Sequence, residues 1–296
     1  MEDQRWWWQV KEEEEGLLTP EEVAHYHEHG YVIPSRFRFD SASVARIRAD
    51  HAALVARHAA EHPEWADYCP ALLPHDLAFV NYARDPRVLG MLRQLLGEDI
   101  ALWTMSFFAK PPRTGREVPW HQDGEYWPIR PLATCTAWVA CDASHAGNGC
   151  LRVIPGSHRR RSLLQHDERL DPANRLALRR EARPGEFDAS AAVDLVLEPG
   201  QISLHDVFLV HGSSANNSDS PRRGMTMRFM RGCARRHRPP PPPRAPTSFD
   251  SLTSHTHPHP PCPPTRALPT QPRRPLSNGT RTASRGTTCA STRLCW

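Results

Sequence analysis

The segment WHQDGEYW, Trp120 to Trp127, holds a histidine and an aspartate two residues apart in an aromatic-rich stretch. On a β-strand, residues i and i+2 point to the same face, so His121 and Asp123 are predicted to present an imidazole and a carboxylate together while Gln122 points away. Both groups bind transition metals. The pair alone is weak evidence, because about one such pair is expected by chance in a chain with 17 histidines.

A third ligand is available in the segment LHDVFLVHGSSANNSDSPRRG, where His211 ends an apolar run and precedes a polar turn. Two histidines and one carboxylate on one side of an ion form the facial triad of non-haem Fe(II) oxygenases, whose remaining coordination positions are open. Open positions admit a bidentate co-substrate and O₂. The sequence therefore predicts a metal site made of His121, Asp123 and His211.

The elements that must position these residues change in character along the chain. Helices are predicted over residues 18–29, 41–62 and 85–97, and the first has a capping box at Thr19 and Glu22 and a stop at Gly30. After Asp99, short β-rich segments recur about every 10 to 20 residues, a pattern typical of an antiparallel barrel or sandwich. The charged, partly helical connection over 159–189 is the natural place for a lid or an exposed insertion.

The C-terminal part differs in composition from the rest. Residues 232–296 carry ten arginines and one acid, a net charge of +9, so the whole-chain charge of +4 leaves −5 for residues 1–231. The basic pI of 8.7 thus belongs to the tail and does not indicate nucleic-acid binding by the folded part. We predict an acidic disordered segment over 1–16, a folded domain over 17–231 and a disordered Pro/Arg-rich tail over 232–296, either a basic interaction tail or a frame-shifted or mis-spliced end.

The sequence predicts a cytoplasmic protein. There is no run of 18 or more apolar residues, so no membrane span is expected. The acidic N-terminus lacks the order of a signal peptide, and the chain ends in LCW rather than an SKL-type signal. Eight cysteines without a CxxC pair indicate free thiols in a reducing compartment.

Residues 17–231 resemble the phytanoyl-CoA dioxygenase family of Fe(II)/2-oxoglutarate oxygenases. The resemblance rests on four blocks in order along the chain: AKPP (109–112), HQDGEYWPIRP (121–131), NGCLRVIPGSH (148–158) and HGSSANNSDSPRR (211–223). It implies a mainly β fold with flanking helices, a double-stranded β-helix (jelly-roll, cupin-like) barrel with N-terminal helices packed outside. The third block is interpreted as structural, because Asn148-Gly149 and Pro155-Gly156 are turn signals.

The resemblance assigns roles position by position. It implies that His121, Asp123 and His211 hold Fe(II) and that Arg222 pairs with the distal carboxylate of 2-oxoglutarate, a task suited to the planar guanidinium. Ser213 and Trp138 match residues that contact the same co-substrate; the alternatives are a turn residue for Ser213 and ordinary barrel core for Trp138. Arg223 adjoins Arg222, and the spacing from His211 favours Arg222.

Other residues near the motifs are interpreted differently. His205 competes with His211 as third ligand, but the Gly-Ser-x-x-Asn sequence follows His211, so His205 is set aside. Tyr126 and Trp127 follow the metal strand outward and are candidates for the substrate pocket wall. Lys110, at a strand end near the barrel mouth, contacts substrate or solvent.

The resemblance implies an oxygenase that uses Fe(II), 2-oxoglutarate and O₂, hydroxylates an aliphatic C–H bond of a small molecule and releases succinate and CO₂. The intact Asp123 argues against a halogenase, in which Gly or Ala leaves room for chloride. Two alternatives stay open: a catalytically silent barrel that acts as a binding module, and a cupin-type metalloenzyme that does not use 2-oxoglutarate and so has no use for Arg222. Whether the protein is a monomer or a homodimer is not indicated.

Overall fold

Four α-helices precede the main strands in the computed structural model, which describes residues 18–171 and 177–232 and the backbone of 235–236. The helices are α1 (Pro20–His29), α2 (Ser41–His58), α3 (Val80–Ala83) and α4 (Pro86–Leu96). The acidic segment 1–16 and most of the basic tail, for which disorder is predicted, lie outside the described residues.

The helix boundaries follow the capping residues. The Thr19 hydroxyl accepts a hydrogen bond from the Glu22 N–H, the Glu22 carboxylate accepts one from the Thr19 N–H, and Gly30 ends α1 with φ 84°, which confirms the predicted capping box. Helix α2 ends at His58, short of the predicted residue 62. His62 precedes Pro63 and has φ −136° and ψ 64°, because a residue before proline is driven out of the helical region.

Fourteen strands follow or separate the helices in the described residues. Six of them form a large sheet in the order β1-β11-β6-β13-β3-β2: β1 (Tyr31–Val32), β2 (Tyr68–Cys69), β3 (Ile100–Lys110), β6 (Thr134–Ala140), β11 (Ile202–Asp206) and β13 (Arg222–Arg231). Four form a small sheet in the order β10-β7-β12-β4: β4 (Val118–His121), β7 (Leu151–Val153), β10 (Val193–Leu195) and β12 (His211–Ser213). Two two-stranded sheets complete the set: β5 (Ile129–Arg130) with β14 (Arg235–Arg236), and β8 (His166–Glu168) with β9 (Arg180–Ala182).

The two larger sheets are antiparallel throughout. One face of the large sheet packs against α2 and α4, where Ile47, Leu54 and Met91 join Met105 and Phe107 in the main hydrophobic core. The opposite face turns toward the small sheet and carries polar residues. The mainly β, jelly-roll fold with N-terminal helices packed outside is confirmed; among the described strands, hydrogen bonds form separate sheets and no closed barrel.

Local structure differs from the sequence-based expectation at three places. Strand β4 ends at His121 and Asp123 begins a short 3₁₀ helix, so the two residues do not share a strand. The described part of 159–189 contains the β8–β9 pair and short 3₁₀ turns but no α-helix. Backbone pairing continues past residue 231, since Arg235–Arg236 pairs with Ile129–Arg130. Among the described residues, no helix combines the length and apolarity needed to cross a membrane.

Candidate metal and co-substrate site

Three side chains predicted as metal ligands lie together between the two sheets. The ligand atoms of His121, Asp123 and His211 all lie within 4.8 Å of one another, and all three residues are buried. The Nε2 atoms of His121 and His211 are 3.9 Å and 4.0 Å from Oδ1 of Asp123. Strands β4 and β12 pair with His121 opposite His211, so adjacent strand ends deliver both imidazoles to one point.

Backbone carbonyls orient both imidazoles. Nδ1 of His121 lies 2.8 Å from the Pro119 carbonyl oxygen, and Nδ1 of His211 lies 2.9 Å from that of Leu209. When Nδ1 donates to a carbonyl, Nε2 carries the lone pair, which is the form that binds a metal ion. Burial lowers the pKa of both histidines, that of His211 to well below its ordinary value. The donor set therefore fits a divalent metal ion.

The Asp123 carboxylate presents its two oxygens to different partners. Oδ2 accepts a hydrogen bond of 2.8 Å from the Thr136 hydroxyl, whereas Oδ1 faces the two histidines. Burial alone would raise the pKa of Asp123, but the Arg228 charge and the neighbouring imidazoles hold that pKa well below its ordinary value. Asp123 is therefore ionised and ready to bind a cation.

Gln122 fixes the turn that carries Asp123. Its side chain points away from the triad, as predicted, and is fully buried. The amide donates to the Phe208 carbonyl at 2.7 Å and accepts from the Leu164 N–H at 2.7 Å. The chain that leaves β4 is thus tied to two distant segments.

A cavity adjoins the triad and is lined by residues of both sheets. Arg222, Ser213 and Trp138, the residues predicted to contact the co-substrate, all line it together with the three candidate metal ligands. The Cζ atom of Arg222 lies 5.4 Å from the centroid of the Trp138 ring, and its Nη2 lies 3.5 Å from the Ser213 hydroxyl. The structure thus brings all six predicted residues to one cavity.

Arg222 is a buried cation without an acidic partner among the described residues. Its Nε and Nη2 atoms donate to the Gly149 carbonyl at 3.0 Å and 2.7 Å. Its relative exposure is only 2%, and this burial lowers its pKa to about 10. Since an unpaired buried charge is costly, this guanidinium fits the carboxylate of a bound co-substrate.

The neighbouring arginine points elsewhere. Arg223 makes two hydrogen bonds with the Asp142 carboxylate, at 2.7 Å and 2.8 Å, outside the cavity. Successive strand residues face opposite sides of a sheet, so only one of the adjacent pair on β13 can reach the interior. Arg222 is the one that does.

Lys110 corrects the sequence-based expectation. Instead of meeting substrate or solvent, it is 2% exposed and its ammonium donates to the carbonyls of Arg116, Ser213 and Ser214 at 2.7, 3.2 and 2.5 Å. Asn216 adds a further hydrogen bond to the same residue, because its side-chain amide donates to the Lys110 carbonyl at 3.0 Å. Lys110 and Asn216 tie the end of β3 to the turn between Ser213 and Arg222, which gives the Asn of the Gly-Ser-x-x-Asn sequence a structural role.

The two aromatic residues predicted for the pocket wall take different positions. The Tyr126 ring meets the His121 ring edge-on at 5.8 Å between centroids, and its hydroxyl donates to the Arg180 carbonyl at 3.1 Å. Trp127 packs against Ile129 and its neighbours and lies 5.3 Å from the Arg228 guanidinium carbon. Neither is among the residues that line the cavity, so contact with substrate stays a prediction.

Sequence reasoning set His205 aside and did not identify Arg228 or Thr136, and all three lie near Asp123. His205, which was set aside as a competing ligand, lines the same cavity, with Nε2 3.7 Å from Oδ2 of Asp123. Arg228 lies 3.8 Å from the same oxygen through Nε, and Thr136 donates to it. For Arg228 and Thr136 the available signal was strand parity, since Arg228 shares it with Arg222 on β13 and Thr136 shares it with Trp138 on β6.

Comparison with known proteins gives the family. The sequence model described as phytanoyl-CoA dioxygenase (PhyH) matches residues 15–224. The chain belongs to this family. A probable phytanoyl-CoA dioxygenase from Caenorhabditis elegans is 27% identical over 241 residues, which cover 72% of this chain and 75% of that protein.

Solved structures share the fold of this chain. The structure of EvdO2 from Micromonospora carbonacea var. aurantiaca complexed with 2-oxoglutarate matches with a TM-score of 0.60 at 22% identity, covering 77% of this chain and 96% of that one. The epimerase SnoN in complex with Fe³⁺, α-ketoglutarate and nogalamycin RO matches with a TM-score of 0.57 at 24% identity, covering 72% and 84%. The phytanoyl-CoA dioxygenase-family chain described here is a non-haem oxygenase that depends on iron and 2-oxoglutarate.

Proposed function

We propose that this enzyme is a dioxygenase that hydroxylates an aliphatic C–H bond of a small molecule, either an acyl-CoA-like compound or a natural-product metabolite. The observation that carries the proposal is the pairing, in one cavity, of a buried His-Asp-His cluster with a buried arginine that has no acidic partner among the described residues. A metal ion and a dicarboxylate satisfy both features at once.

The residues divide into two groups by task. Nε2 of His121, Nε2 of His211 and Oδ1 of Asp123 hold the iron. Arg222 binds the distal carboxylate of 2-oxoglutarate, the Ser213 hydroxyl donates to the same group, and the Trp138 ring packs along the carbon chain. Iron bound there supplies C–H oxidation by O₂ coupled to conversion of 2-oxoglutarate to succinate and CO₂.

The protein contributes orientation and exclusion of water. The two carbonyl-bound imidazoles keep their Nε2 lone pairs on the metal side, and the Thr136 hydroxyl keeps one carboxylate oxygen occupied. Because the cavity lining is buried, the co-substrate binds in a medium of low dielectric constant, where the Arg222 charge is strongly felt. The intact Asp123 favours hydroxylation over halogenation, since it occupies the position that chloride would need.

Succinate release and product mass test the reaction type. The purified enzyme, loaded with Fe(II) and 2-oxoglutarate in air, is offered one panel of acyl-CoA thioesters and one panel of small natural-product metabolites. A substrate should raise succinate release above the uncoupled background and yield a product that has gained one oxygen atom. A product that has instead lost two hydrogens, or has changed only its stereochemistry, would contradict hydroxylation while leaving the oxygenase class intact.

A further inference from the structure

Three hydrogen-bond donors from three neighbouring strands converge on one oxygen of Asp123. The Thr136 hydroxyl is 2.8 Å from Oδ2, His205 Nε2 is 3.7 Å away, and Arg228 Nε is 3.8 Å away. We propose that these three residues, the donor row, are positioning residues that restrict Asp123 to binding the metal through Oδ1 alone. The inference rests on the proposed function in taking Asp123 as an iron ligand.

The donor row is built by sheet register. His205 on β11 lies opposite Thr136 on β6, and Thr136 lies opposite Arg228 on β13. Directly paired residues on neighbouring strands point to the same face, here the face toward the cavity. The donor row therefore presents its polar groups side by side toward Asp123, which follows strand β4 of the small sheet.

His205 supplies the second observation. Its relative exposure is 2%, and neither ring nitrogen has a hydrogen-bond partner among the described residues. His121 and His211 differ, because a backbone carbonyl fixes Nδ1 in each and reserves Nε2 for the metal. An imidazole that is buried and not fixed in this way is suited to donate to Oδ2 of Asp123, which lies 3.7 Å from its Nε2.

Arg228 is held in place from the other side. Its Nη1 donates to the hydroxyls of Ser106 and Thr226 at 2.7 Å and 2.8 Å. Its guanidinium carbon also lies 5.3 Å from the Trp127 ring and 5.9 Å from the Phe108 ring, which limits its movement. The charge facing Oδ2 is therefore fixed, and attraction to it draws this oxygen away from the metal side.

Binding through one oxygen of Asp123 determines how many coordination positions of the metal stay open. A metal ion with six positions and three single-atom protein ligands has three left, enough for two oxygens of 2-oxoglutarate and one O₂. A carboxylate that bound through both oxygens would take one of them. By occupying Oδ2, the donor row keeps all three positions available.

Metal and 2-oxoglutarate titrations of matched variants test this under anaerobic conditions with Co(II), whose visible spectrum reports coordination number. Thr136→Val removes one donor at nearly constant volume; Thr134→Val, on the same strand and two residues away, is the control because Thr134 does not line the cavity. We expect Thr136→Val and His205→Phe to weaken Co(II) binding by about tenfold to a hundredfold, to change the visible spectrum and to weaken 2-oxoglutarate binding to the metal-loaded protein. Thr136→Ser, which keeps the hydroxyl, should restore all three properties, and Thr134→Val should leave them within about twofold of the wild type, as expected for a site outside the metal shell.

The outcomes distinguish failure of the donor row from failure of the proposed function. Folded Thr136→Val and His205→Phe proteins with wild-type metal affinity and spectrum would overturn the donor row but not the proposed function. Loss of thermal stability in Thr136→Val with an unchanged spectrum would assign Thr136 a purely structural role and would also overturn it. A wild-type protein that binds no Co(II) would overturn both the donor row and the proposed function.

Discussion

Arg222 and Arg223 are adjacent on β13 but lie in opposite environments. The Arg223 guanidinium forms two hydrogen bonds with the Asp142 carboxylate, which raises the pKa of Arg223. The Arg222 guanidinium instead faces the cavity, where it donates to the Gly149 carbonyl and lies next to the Ser213 hydroxyl. The alternation of side chains along a strand explains the difference. One arginine is satisfied by the protein and the other is available for a ligand.

Replacing the two arginines separately should have different effects: loss of Arg222 should weaken 2-oxoglutarate binding, and loss of Arg223 should lower thermal stability. Arg222→Gln is expected to raise the Kd for 2-oxoglutarate by about a hundredfold or more, since losing one partner of a buried charge pair costs about 2 to 5 kcal/mol. Isothermal titration calorimetry of the metal-loaded protein measures this. Arg223→Gln is the matched control: it should lower thermal stability and leave the Kd nearly unchanged. Equal effects on the Kd would contradict the assignment of Arg222.

Gly149 should be required both for stability and for 2-oxoglutarate binding, because of its backbone conformation and its close contact with Ser214. Its φ of 75° is in the left-handed region, a Cβ there would collide with the carbonyl oxygen of Ser214, and its own carbonyl accepts from Arg222. Gly149→Ala is therefore expected to lower the free energy of unfolding by more than about 1 kcal/mol and to weaken 2-oxoglutarate binding together with it. Chemical denaturation and calorimetry measure the two effects.

Gly90→Ala provides the control for this substitution. Gly90 lies inside α4, and a Cβ there meets nothing within 4 Å. Alanine should stabilise the helix by about 0.5 to 1 kcal/mol without changing 2-oxoglutarate binding. If both variants behaved alike, the special conformation of Gly149 would not be the cause.

The site was largely predictable where it depends on short spacing. His121, Asp123 and His211 lie in two local segments whose residue types already indicate a metal site, whereas the role of Arg222 was implied only by the family resemblance. The first helix was also predictable, because its capping box and Gly30 are local signals. These features need no knowledge of which strand pairs with which.

The remaining site residues depend on long-range register. His205, Thr136 and Arg228 become neighbours only because β11, β6 and β13 pair in one alignment, and a shift by one residue would turn each to the other face. Lys110 was placed wrongly for the same reason: its ammonium donates to the carbonyls of Ser213 and Ser214, more than a hundred residues later in the chain. Hydrophobic periodicity carries no information on such pairings.

Metal binding should depend on Asp123 in particular. Asp123→Gly removes the only carboxylate of the His-Asp-His cluster, so iron affinity should fall and substrate hydroxylation should be lost. Asp194→Gly is the control, since this exposed aspartate on β10 is paired with Arg152 and does not line the cavity. Full hydroxylation by folded Asp123→Gly would contradict the proposed metal site.

Stability should fall in mild acid through His51. This side chain is 5% exposed and stacked on Phe107 at 3.6 Å between centroids, and burial lowers its pKa to about 4 from an ordinary value of 6.5. Between those values the unfolded chain binds the proton and the folded one does not, so stability is full above pH 6.5 and is lost as the pH falls toward 4.

His51→Phe keeps an aromatic ring against Phe107 and removes the imidazole group that titrates. Its free energy of unfolding, measured in the metal-free protein, should depend less on pH than that of the wild type. The difference between the two should grow by up to about 3 kcal/mol between pH 6.5 and pH 4. Parallel pH profiles would show that His51 does not titrate with folding.

The most direct test of the account is the visible spectrum after anaerobic addition of Fe(II) and then 2-oxoglutarate. We predict the weak charge-transfer band of the iron–2-oxoglutarate chelate in the wild type and its loss, at the same 2-oxoglutarate concentration, in Arg222→Gln. Iron binding without the band would favour a cupin-type metalloenzyme that does not use 2-oxoglutarate. No iron binding at all would indicate a silent binding module and would contradict the proposed site.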